Sequence, residues 1–409
     1  MSASARDVDR QPDSPSLFIP PPPELALVRR AADLRPLIAS HAVEGEAQRR
    51  VPEPVIAAMK DAGLFHIVIP KRFGGEGTNF RTFMEATAEV ARADGATGWV
   101  HALLNVCTWF VTTFSEQAQQ EVFGQNPKAI SGAVFSPSTS ARRVDGGLVV
   151  SGRWPYATGS WHADWTGVGV VLGEHDDGTP EVGLALVPLA DARIEETWDM
   201  TGMAATGSNT VAAEELFIPD HRIQSFDDLA RDVHAREYTD EVVARASFMP
   251  AAVVILCFVQ LGAARAALDA TLERVPEKPV AYSAFRHTKD SPAHQMALAE
   301  AASQIDAAYL LAARACADID RAAERGESLP MLTRARIRMD TGQVAQLCRE
   351  AINKLLTVNG PSSFATAKDI QRFWRDSEVA SRHALAEPEI GKQVYGRALF
   401  GMYDPISPY

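Results

Sequence analysis

Apolar residues near the N-terminus of the chain follow the period of a helix. One helix face is outlined by Leu27, Ala31, Leu34 and Ile38, which are four, three and four residues apart. The next helix is predicted to begin at residues 51–54 (VPEP), because proline is favoured in a first helical turn, and to end at Gly63, which suits a left-handed cap. The N-terminal part of the chain is therefore predicted to be helical.

The period changes between residues 129 and 223, where short β-rich runs alternate with glycine, aspartate and proline. This pattern predicts a small antiparallel sheet or barrel. The run 167–173 (GVGVVLG) lies within it and is interpreted as a strand, since its third glycine comes one residue too late for a dinucleotide-binding fingerprint. Helical spacing returns after about residue 238, and apolar residues from 298 to 323 predict a long bundle helix that begins at Ser291 and Pro292.

These patterns divide the chain into four segments. Residues 1–24 are polar and then proline-rich, and they are predicted to form a disordered tail. An N-terminal helical domain (25–128), a central β domain (129–238) and a C-terminal helical bundle (239–409) follow. A length of 409 residues is sufficient for these folded units.

Charge and cysteine usage narrow the range of partners and compartments. Lys and Arg number 40 against 52 Asp and Glu, and the net charge of −12 argues against nucleic-acid binding, which needs clustered positive charge. The four cysteines are scattered without CxxC spacing, which indicates free thiols in a reducing compartment. No secretory signal is visible, and the most apolar run (248–261) is shorter than the ~20 residues of a membrane span. A soluble, cytoplasmic protein is expected.

The usual catalytic and metal-binding motifs are missing from the sequence. It contains no GxxxxGK[ST] phosphate loop, no GxSxG elbow and no HExxH motif. Glu85 and Glu89 are four residues apart and would share one helix face. Without a histidine partner they are interpreted as part of a solvated face, and no metal site is predicted.

The densest aromatic cluster lies in the β region, at residues 153–165 (RWPYATGSWHADW), which hold three of the seven tryptophans. Bulky rings beside hydroxyl and glycine positions suit a flat heteroaromatic ligand. A sandwich core with aromatic corners would have the same texture, and the texture alone does not separate the two interpretations.

Several motifs in this order resemble the acyl-CoA dehydrogenase superfamily. They are residues 64–75 (LFHIVIPKRFGG), 202–208 (GMAATGS) and 217–219 (FIP). A second set is closer to the flavin-dependent monooxygenases of two-component systems, a branch of that superfamily. It comprises residues 96–100 (ATGWV), 152–159 (GRWPYATG), 162–165 (HADW), 373–376 (FWRD) leading to His383, and 395–401 (YGRALFG). The resemblance implies a mainly α, α+β multidomain fold with an N-terminal helical domain, a central β-barrel or sandwich and a C-terminal four-helix bundle.

The resemblance also implies an activity. Members of the branch take reduced FMN or FAD from a separate flavin reductase, form a 4a-hydroperoxyflavin with O2, and hydroxylate an aromatic or other small to medium organic substrate, or oxidise its nitrogen or sulfur. They are homotetramers by the same resemblance. Two alternatives remain: a flavin-dependent dehydrogenase of acyl-CoA or carrier-bound acyl groups, and a catalytically silent flavin-binding homologue. The missing nucleotide motif agrees with a flavin supplied by a partner.

The flavin site implied by the resemblance lies mainly in the β domain. Thr158 matches the Ser or Thr that hydrogen-bonds the flavin near N5, where a donor would also stabilise the hydroperoxyflavin; a turn hydroxyl bonded to the backbone is the alternative. The residues implied around it are Trp154 and Tyr156 flanking the ring, Thr206 and Ser208 on the same side, and Arg286 near the phosphate. For Arg286 an exposed loop is an equally good interpretation.

His383 stands within about one residue of the place where true dehydrogenases carry a glutamate base. A histidine there suits an acid/base role, since its ordinary pKa of ~6.5 lies near working pH. On a continuous helix His383 and Asp376 would share a face about 10 Å apart, too far for a dyad. The alternative is a surface histidine at a helix C-terminus.

The substrate pocket is expected to include residues of the segment that follows Gly98. They are Trp99, His101, Asn105 and Cys107. Many hydroxylases of the branch carry a substrate-contacting histidine where Cys107 stands, and relatives often have arginine at Ala204. His101 on a helix would point about 120° away from Cys107, and a core histidine is its alternative interpretation. These departures concern substrate class rather than fold.

Overall fold

Helices form the first part of the computed structural model, which describes residues 23–137, 139–236, 241–404 and 406–409. They are α1 (Leu25–Asp33), α2 (Arg35–Gln48), α3 (Glu53–Asp61), α4 (Phe80–Ala91), α5 (Gly95–Phe110) and α6 (Glu116–Phe123). The predicted N-terminal helix face is shared by two helices, because α1 ends just before Leu34. α3 begins where the VPEP segment predicted, and Gly63 follows it with a φ of +74°. The tail predicted for residues 1–24 lies outside the described residues, apart from its last two positions.

The central β domain has two four-stranded sheets in the part of the chain that the structure describes. The strands are β1 (Ser131–Val134), β2 (Thr139–Val144), β3 (Gly147–Ala157), β4 (Trp165–Glu174), β5 (Pro180–Pro188), β6 (Arg193–Glu195), β7 (Asn209–Pro219) and β8 (Ile223–Ser225). Their order is β1-β4-β5-β8 in one sheet and β2-β3-β7-β6 in the other. All pairs are antiparallel except β1 with β4. Val150, Val168 and Val211 lie in the apolar core of this domain.

The C-terminal part is again helical. Its helices are α7 (Phe226–Ala230), α8 (Phe248–Val254), α9 (Phe258–Arg274), α10 (Pro292–Arg325), α11 (Met331–Asn359), α12 (Asp369–Ala380) and α13 (Pro388–Leu399). α9, α10, α11 and α12 pack together as the predicted four-helix bundle, and α13 packs on α11. The start predicted for the long helix is confirmed, because α10 begins at Pro292 after Ser291.

The most apolar run is longer than the sequence analysis allowed. α8, a short 3-10 turn and α9 are continuous from Phe248 to Arg274, a span of 27 residues that is long and apolar enough to cross a membrane. The prediction that this run is too short for a membrane span was therefore wrong. In this fold, however, 94% of the most apolar window is buried inside the protein, as in the core helix of a globular domain.

α5 lies at the junction of the helical and β parts. It packs against α4 and α9 on one side, and against β1 and the 3-10 turn Ala204–Thr206 on the other. Asp94 caps its first turn by accepting a hydrogen bond from the backbone N–H of Thr97 at 2.8 Å, which is a strongly preferred N-cap arrangement. Side chains along α5 therefore face either the helical core or the edge of the β domain.

Candidate active site

Three hydroxyl groups meet where β3 and β7 lie side by side. Ala157 at the end of β3 pairs with Asn209 at the start of β7, so the residues just beyond them are neighbours. The Thr158 hydroxyl lies 2.9 Å from that of Ser208, which lies 2.7 Å from that of Thr206. Thr206 and Ser208 are buried and Thr158 is only partly buried. We call this Thr206–Ser208–Thr158 series the hydroxyl chain.

The direction of the hydrogen bonds along the hydroxyl chain follows from its inner end. The Thr206 hydroxyl donates to the carbonyl oxygen of Met203 at 2.9 Å, because a carbonyl oxygen can only accept. Each hydroxyl has one proton, so Ser208 has to donate to Thr206, and Thr158 to Ser208. Thr158 is left with lone pairs and no proton for a ligand. With this direction Thr158 faces a ligand as an acceptor, whereas the donor expected from the resemblance stays a prediction.

Tyr156 and Trp154 have opposite environments although two residues separate them. The register between β3 and β7 shifts between Trp154 and Ala157, and Tyr156 has a φ of +67°. This irregularity turns Tyr156 outwards, where it is 69% exposed and meets Trp198 edge to face at 5.9 Å. Trp154 is 1% exposed and donates its indole N–H to the carbonyl of Gly169 at 2.9 Å. Trp154 therefore packs in the β-domain core, contrary to the expectation that it flanks a bound ring.

A cleft of about 370 Å³ lies close to the hydroxyl chain. Its lining residues come from the α2–α3 connection and the β domain: Gln48, Arg49, Arg50, Trp161, Glu196, Trp198 and Asn209. Asn209 follows Ser208 in the chain and accepts hydrogen bonds from the backbone N–H groups of Thr197 and Trp198, both at 3.1 Å. The cleft thus offers aromatic rings and guanidinium groups beside the residue that follows Ser208.

The polar residues of α5 have a different character. The Asn105 side chain accepts from the backbone N–H of Ile67 at 3.2 Å and donates to the carbonyls of Leu64 and His101 at 2.7 and 2.9 Å. His101 is fully buried, bonds the Thr87 hydroxyl at 2.9 Å, and burial lowers its pKa to about 3. These two residues hold the protein interior together. They were expected in the substrate pocket; the Asn105 amide is used by backbone groups, whereas Nε2 of His101 is buried and has no hydrogen-bond partner among the described residues.

Cys107 is also buried, at 4% exposure, and burial raises the pKa of its thiol. The backbone of Ala133, at the edge of the β domain, lies within hydrogen-bonding reach of the sulfur and opposes this rise. Cys107 is therefore a protonated thiol at neutral pH.

His383 lies beyond the end of α12, so it does not share a helix face with Asp376. α12 ends at Ala380, and His383 instead begins a short 3-10 turn, where its Nδ1 accepts the backbone N–H of Leu385 at 3.2 Å. Its ring lies 5.9 Å from that of Trp99. Burial and then the charge of Arg338 lower its pKa to about 4. The imidazole is neutral at pH 7, with its proton on Nε2.

The hydroxyl chain, the Trp99–His383 pair and Arg286 are not all in contact with one another. Leu104 of α5 lies against the turn at Gly159, since a Cβ there would come within 2.9 Å of the Leu104 side chain. Trp99 is five residues earlier, roughly 7.5 Å along the helix axis. The Trp99–His383 pair and the turn that follows Thr158 therefore contact α5 at two positions about 7.5 Å apart along the helix. Arg286 is exposed in the segment between α9 and α10, and no contact in the described ranges joins it to the hydroxyl chain.

Comparison with known proteins decides the family. The N-terminal domain of acyl-CoA dehydrogenases matches residues 26–131 and their C-terminal domain matches residues 254–388. The flavin-dependent monooxygenase oxygenase subunit HsaA of Rhodococcus jostii (strain RHA1) is 31% identical over 377 residues, which cover 92% of this chain and 98% of that protein. The chain belongs to the acyl-CoA dehydrogenase family.

Two further relatives belong to the monooxygenase branch of this family. The FADH(2)-dependent resorcinol hydroxylase oxygenase component of Rhizobium sp. (strain MTP-10005) is 32% identical over 402 residues, 95% of this chain and 97% of that protein. The structure of XiaF from Streptomyces sp. in complex with FADH2 and glycerol has a TM-score of 0.89 at 34% identity, and covers 94% of this chain and 98% of its own. The chain is an oxygenase component of the flavin-dependent monooxygenases, and the predicted fold and enzyme class are confirmed.

Several residues around the site of this oxygenase component were not found from the sequence. Trp198, Arg49 and Arg50 line the cleft, and the backbone of Met203 anchors the hydroxyl chain. The GMAATGS motif at 202–208 contains Thr206 and Ser208 of the hydroxyl chain, but it does not indicate that the Met203 carbonyl accepts a hydrogen bond there. Arg49 and Arg50 stand just before the VPEP segment, in a sequence that reads as an ordinary helix end.

The acidic pair on α4 of the oxygenase component is not a solvated face. Glu85 is paired with Arg81 at 2.8 Å and accepts a hydrogen bond from the Tyr309 hydroxyl at 2.5 Å, while Glu89 pairs with Arg35 at 3.2 Å. These carboxylates therefore tie α4 to neighbouring helices. Within the described residues no group of three or more His, Cys, Asp or Glu side chains could hold a metal ion.

Proposed function

We propose that this oxygenase component binds reduced flavin with N5 against the Thr158 hydroxyl and hydroxylates a phenolic or similarly electron-rich aromatic compound. The observation that carries the proposal is the hydrogen bond from the Thr206 hydroxyl to the Met203 carbonyl, from which Thr158 at the other end of the hydroxyl chain is deduced to be an acceptor. Reduced flavin has an N–H at N5, whereas the same nitrogen in oxidised flavin has only a lone pair. A hydrogen bond to Thr158 is therefore available to the reduced form alone.

The neighbouring residues fit a flat flavin ring. Tyr156 is turned out of the sheet with its ring accessible, and Trp198 supports it edge to face. Thr206 and Ser208 each donate and accept within the hydroxyl chain, whereas Thr158 only donates, so a donor from a ligand completes it. Reduced flavin, when bound, supplies the two electrons with which O2 is activated.

The supply of reduced flavin is proposed to come from a separate flavin reductase. Two of the relatives are named oxygenase subunit or oxygenase component, which implies a second protein component. The sequence has no phosphate loop and no complete dinucleotide fingerprint, which agrees with NAD(P)H being handled elsewhere. We leave FMN and FAD as equal candidates for the flavin.

The substrate class is proposed from the relatives and from His383. One relative is named for resorcinol, a phenol. Because Nδ1 of His383 accepts the Leu385 N–H, its Nε2–H is available as a donor towards a substrate oxygen, next to the ring of Trp99. We therefore propose that His383 meets the substrate as a neutral donor, with Trp99 nearby, and that it exchanges a proton only as the reaction changes the charge of that oxygen. One atom of O2 enters the aromatic ring and the other leaves as water.

The assembly is proposed to be a homotetramer. Large apolar side chains near the C-terminus are exposed in the single chain, including Phe400 at 83% and Leu399 at 60%, together with Leu310 of α10 at 67%. Exposed apolar patches of this kind favour contact with another protein surface. In such an assembly the exposed Arg286 remains a candidate for the flavin phosphate. Light scattering of the purified protein measures the mass, and a monomer across the concentration range would contradict the assembly.

A flavin-binding and turnover experiment tests the main proposal. Anaerobic titration should give a lower Kd for reduced than for oxidised flavin, with FMN and FAD tested in parallel. Phenolic substrates are then mixed with protein, reduced flavin and O2, and the hydroxylated product and H2O2 are quantified. Turnover of an acyl-CoA with an artificial electron acceptor and without O2 would instead support the dehydrogenase alternative. Absence of both reactions and of flavin binding would support a silent homologue.

A further inference from the structure

A buried carboxylate reaches the inner end of the hydroxyl chain from the C-terminal bundle. Asp376 of α12 is fully buried, and one of its carboxylate oxygens accepts the backbone N–H of Met203 at 2.6 Å. The two residues are 173 positions apart in the sequence. The other oxygen, Oδ2, has no hydrogen-bond partner among the described residues. The hydrogen bond that Asp376 makes is therefore the one from the backbone N–H of Met203.

Met203 is the point where the hydroxyl chain is fixed. Its φ of +56° is in the left-handed region, which is unfavourable for a residue with a side chain, so the conformation has to be held by its surroundings. Its carbonyl oxygen accepts from the Thr206 hydroxyl at 2.9 Å, from the Thr206 backbone N–H at 3.1 Å and from the Trp198 indole at 2.9 Å. The Asp376 contact on the N–H side of the residue completes the set.

The loop around Met203 sits directly on the α12 backbone. A Cβ at Gly202 would lie 2.1 Å from the carbonyl oxygen of Arg375, so only glycine permits this approach. A Cβ at Gly95, at the start of α5, would lie 2.8 Å from the Asp376 carboxylate. The carboxylate is therefore enclosed between α5, α12 and the loop, and glycine at position 95 leaves the space that it occupies.

We infer that Asp376 is a positioning residue: by holding the backbone N–H of Met203 it fixes the residue whose carbonyl, in the next peptide unit, sets the direction of the hydroxyl chain and leaves Thr158 as an acceptor. This inference rests on the proposed function for its consequence, the preference for reduced flavin. The geometry itself, from Asp376 to Met203 to Thr206 to Ser208 to Thr158, does not depend on it. Burial, followed by the nearby charge of Asp94, raises the pKa of Asp376 to about 7. An acceptor oxygen is present in both protonation states, so asparagine is a close mimic.

The loop is tested first, in protein without flavin. Hydrogen–deuterium exchange at residues 203–208 should rise at least tenfold in Asp376→Ala and return close to the wild-type rate in Asp376→Asn. The matched control is Asp320→Ala, because Asp320 is equally buried and also accepts backbone N–H groups, those of Phe80 at 2.8 Å and Arg81 at 3.1 Å. Equal exchange at 203–208 in Asp376→Ala and Asp320→Ala would overturn the inference, since any buried carboxylate would then act alike.

The flavin is tested second, by anaerobic titration of the same variants. The ratio of the Kd values for oxidised and reduced flavin should fall about tenfold in Asp376→Ala and stay near wild type in Asp376→Asn and Asp320→Ala. If Asp376→Ala loosens the loop but Thr158→Val leaves the ratio unchanged, the flavin assignment fails and the positioning of the loop stands. If Thr158→Val lowers the ratio but Asp376→Ala does not, the positioning role is overturned and the flavin assignment stands.

Discussion

Two groups of polar side chains close to the site differ in what their hydrogen bonds are used for. On α5, the amide oxygen and nitrogen of Asn105 both form hydrogen bonds to backbone groups, and His101 is buried and hydrogen-bonded to Thr87. In the hydroxyl chain every proton is also used, yet Thr158 keeps lone pairs at a partly exposed position. A polar residue type therefore does not by itself indicate a binding group. Unused capacity at an accessible atom does.

The largest expected effect is on stability, at Asn105 of α5. Replacing Asn105 with leucine leaves the buried N–H of Ile67 and the carbonyls of Leu64 and His101 without their partner. Each orphaned group costs about 1–3 kcal/mol, so we expect a loss of roughly 3 kcal/mol or more in the free energy of unfolding. Urea denaturation followed by circular dichroism measures it.

Thr158→Val is the matched control for Asn105→Leu, since it removes a hydroxyl at a partly exposed site. It should lose no more than about 1 kcal/mol of stability, because only one hydrogen bond to Ser208 is removed. If Asn105→Leu were as stable as Thr158→Val, the assignment of Asn105 to a structural role would be contradicted.

His383 combines the two kinds of behaviour, since one ring nitrogen accepts a backbone hydrogen bond and the other is available to a ligand. Its pKa is about 4 in the folded protein, lowered by burial, against about 6.5 in the unfolded chain. Between pH 6.5 and 4 the unfolded chain binds a proton at His383 and the folded protein does not, so the free energy of unfolding falls as the pH drops. Above pH 6.5 His383 is neutral in both states and contributes no pH dependence. At pH 5 the expected loss is about 2 kcal/mol.

The measurement is the urea midpoint of wild type and His383→Gln between pH 4.5 and 8. The difference in slope below pH 6.5 isolates His383, because the other buried histidines remain in both proteins. In hydroxylation assays the plot of rate against pH for the wild type should show no inflection near pH 6.5, because His383 stays neutral there. The plot for His383→Gln should then have the same shape in this range. Such an inflection would show that His383 titrates at its ordinary pKa and works as a conventional base.

These cases show which features local sequence pattern can predict. The domain order, the start of α3, the start of α10 and the strand at 167–173 depend on nearby residues, and all four are found in the structure. The motif at 153–165 contains Thr158 of the hydroxyl chain, and its role in flavin binding stays a prediction. Trp154 was misjudged because an irregular register between β3 and β7 changes which side chains face outwards, and alternation along one strand does not reveal it.

The properties of the site that depend on distant contacts could not be predicted. Helical spacing places His383 on the same helix as Asp376, but α12 ends at Ala380 and the residue begins a new turn. The donor or acceptor character of Thr158 is set at Met203, which a residue 173 positions later in the chain holds in place. No motif in the local sequence records that direction, because it follows from how the bundle packs against the loop.

The next effect concerns the accessible group itself. Thr158→Val removes the acceptor that is proposed for N5–H of reduced flavin, while Thr158→Ser keeps it. A single hydrogen bond contributes about 0.5–1.5 kcal/mol, so the Kd for reduced flavin should rise up to about tenfold in Thr158→Val and little in Thr158→Ser, and the Kd for oxidised flavin should barely change. Anaerobic fluorescence titration provides both constants. Equal weakening of both flavin states would show that Thr158 does not distinguish them.

The smallest effect is expected at Cys107, which has neither a strong hydrogen bond nor an accessible atom. Its thiol is buried and its pKa is raised by burial, so it should not react with a thiol reagent in the native protein at pH 8. Cysteines 257, 316 and 348 are buried as well, and a colorimetric titration should find no reactive thiol before denaturation and four after it. Cys107→Ala should lower the unfolding free energy by only about 1 kcal/mol, because little volume is removed. Rapid labelling of the native protein that disappears in Cys107→Ala would instead place this residue in an open pocket. Cys107 would then, like Thr158, have an atom that a ligand can reach.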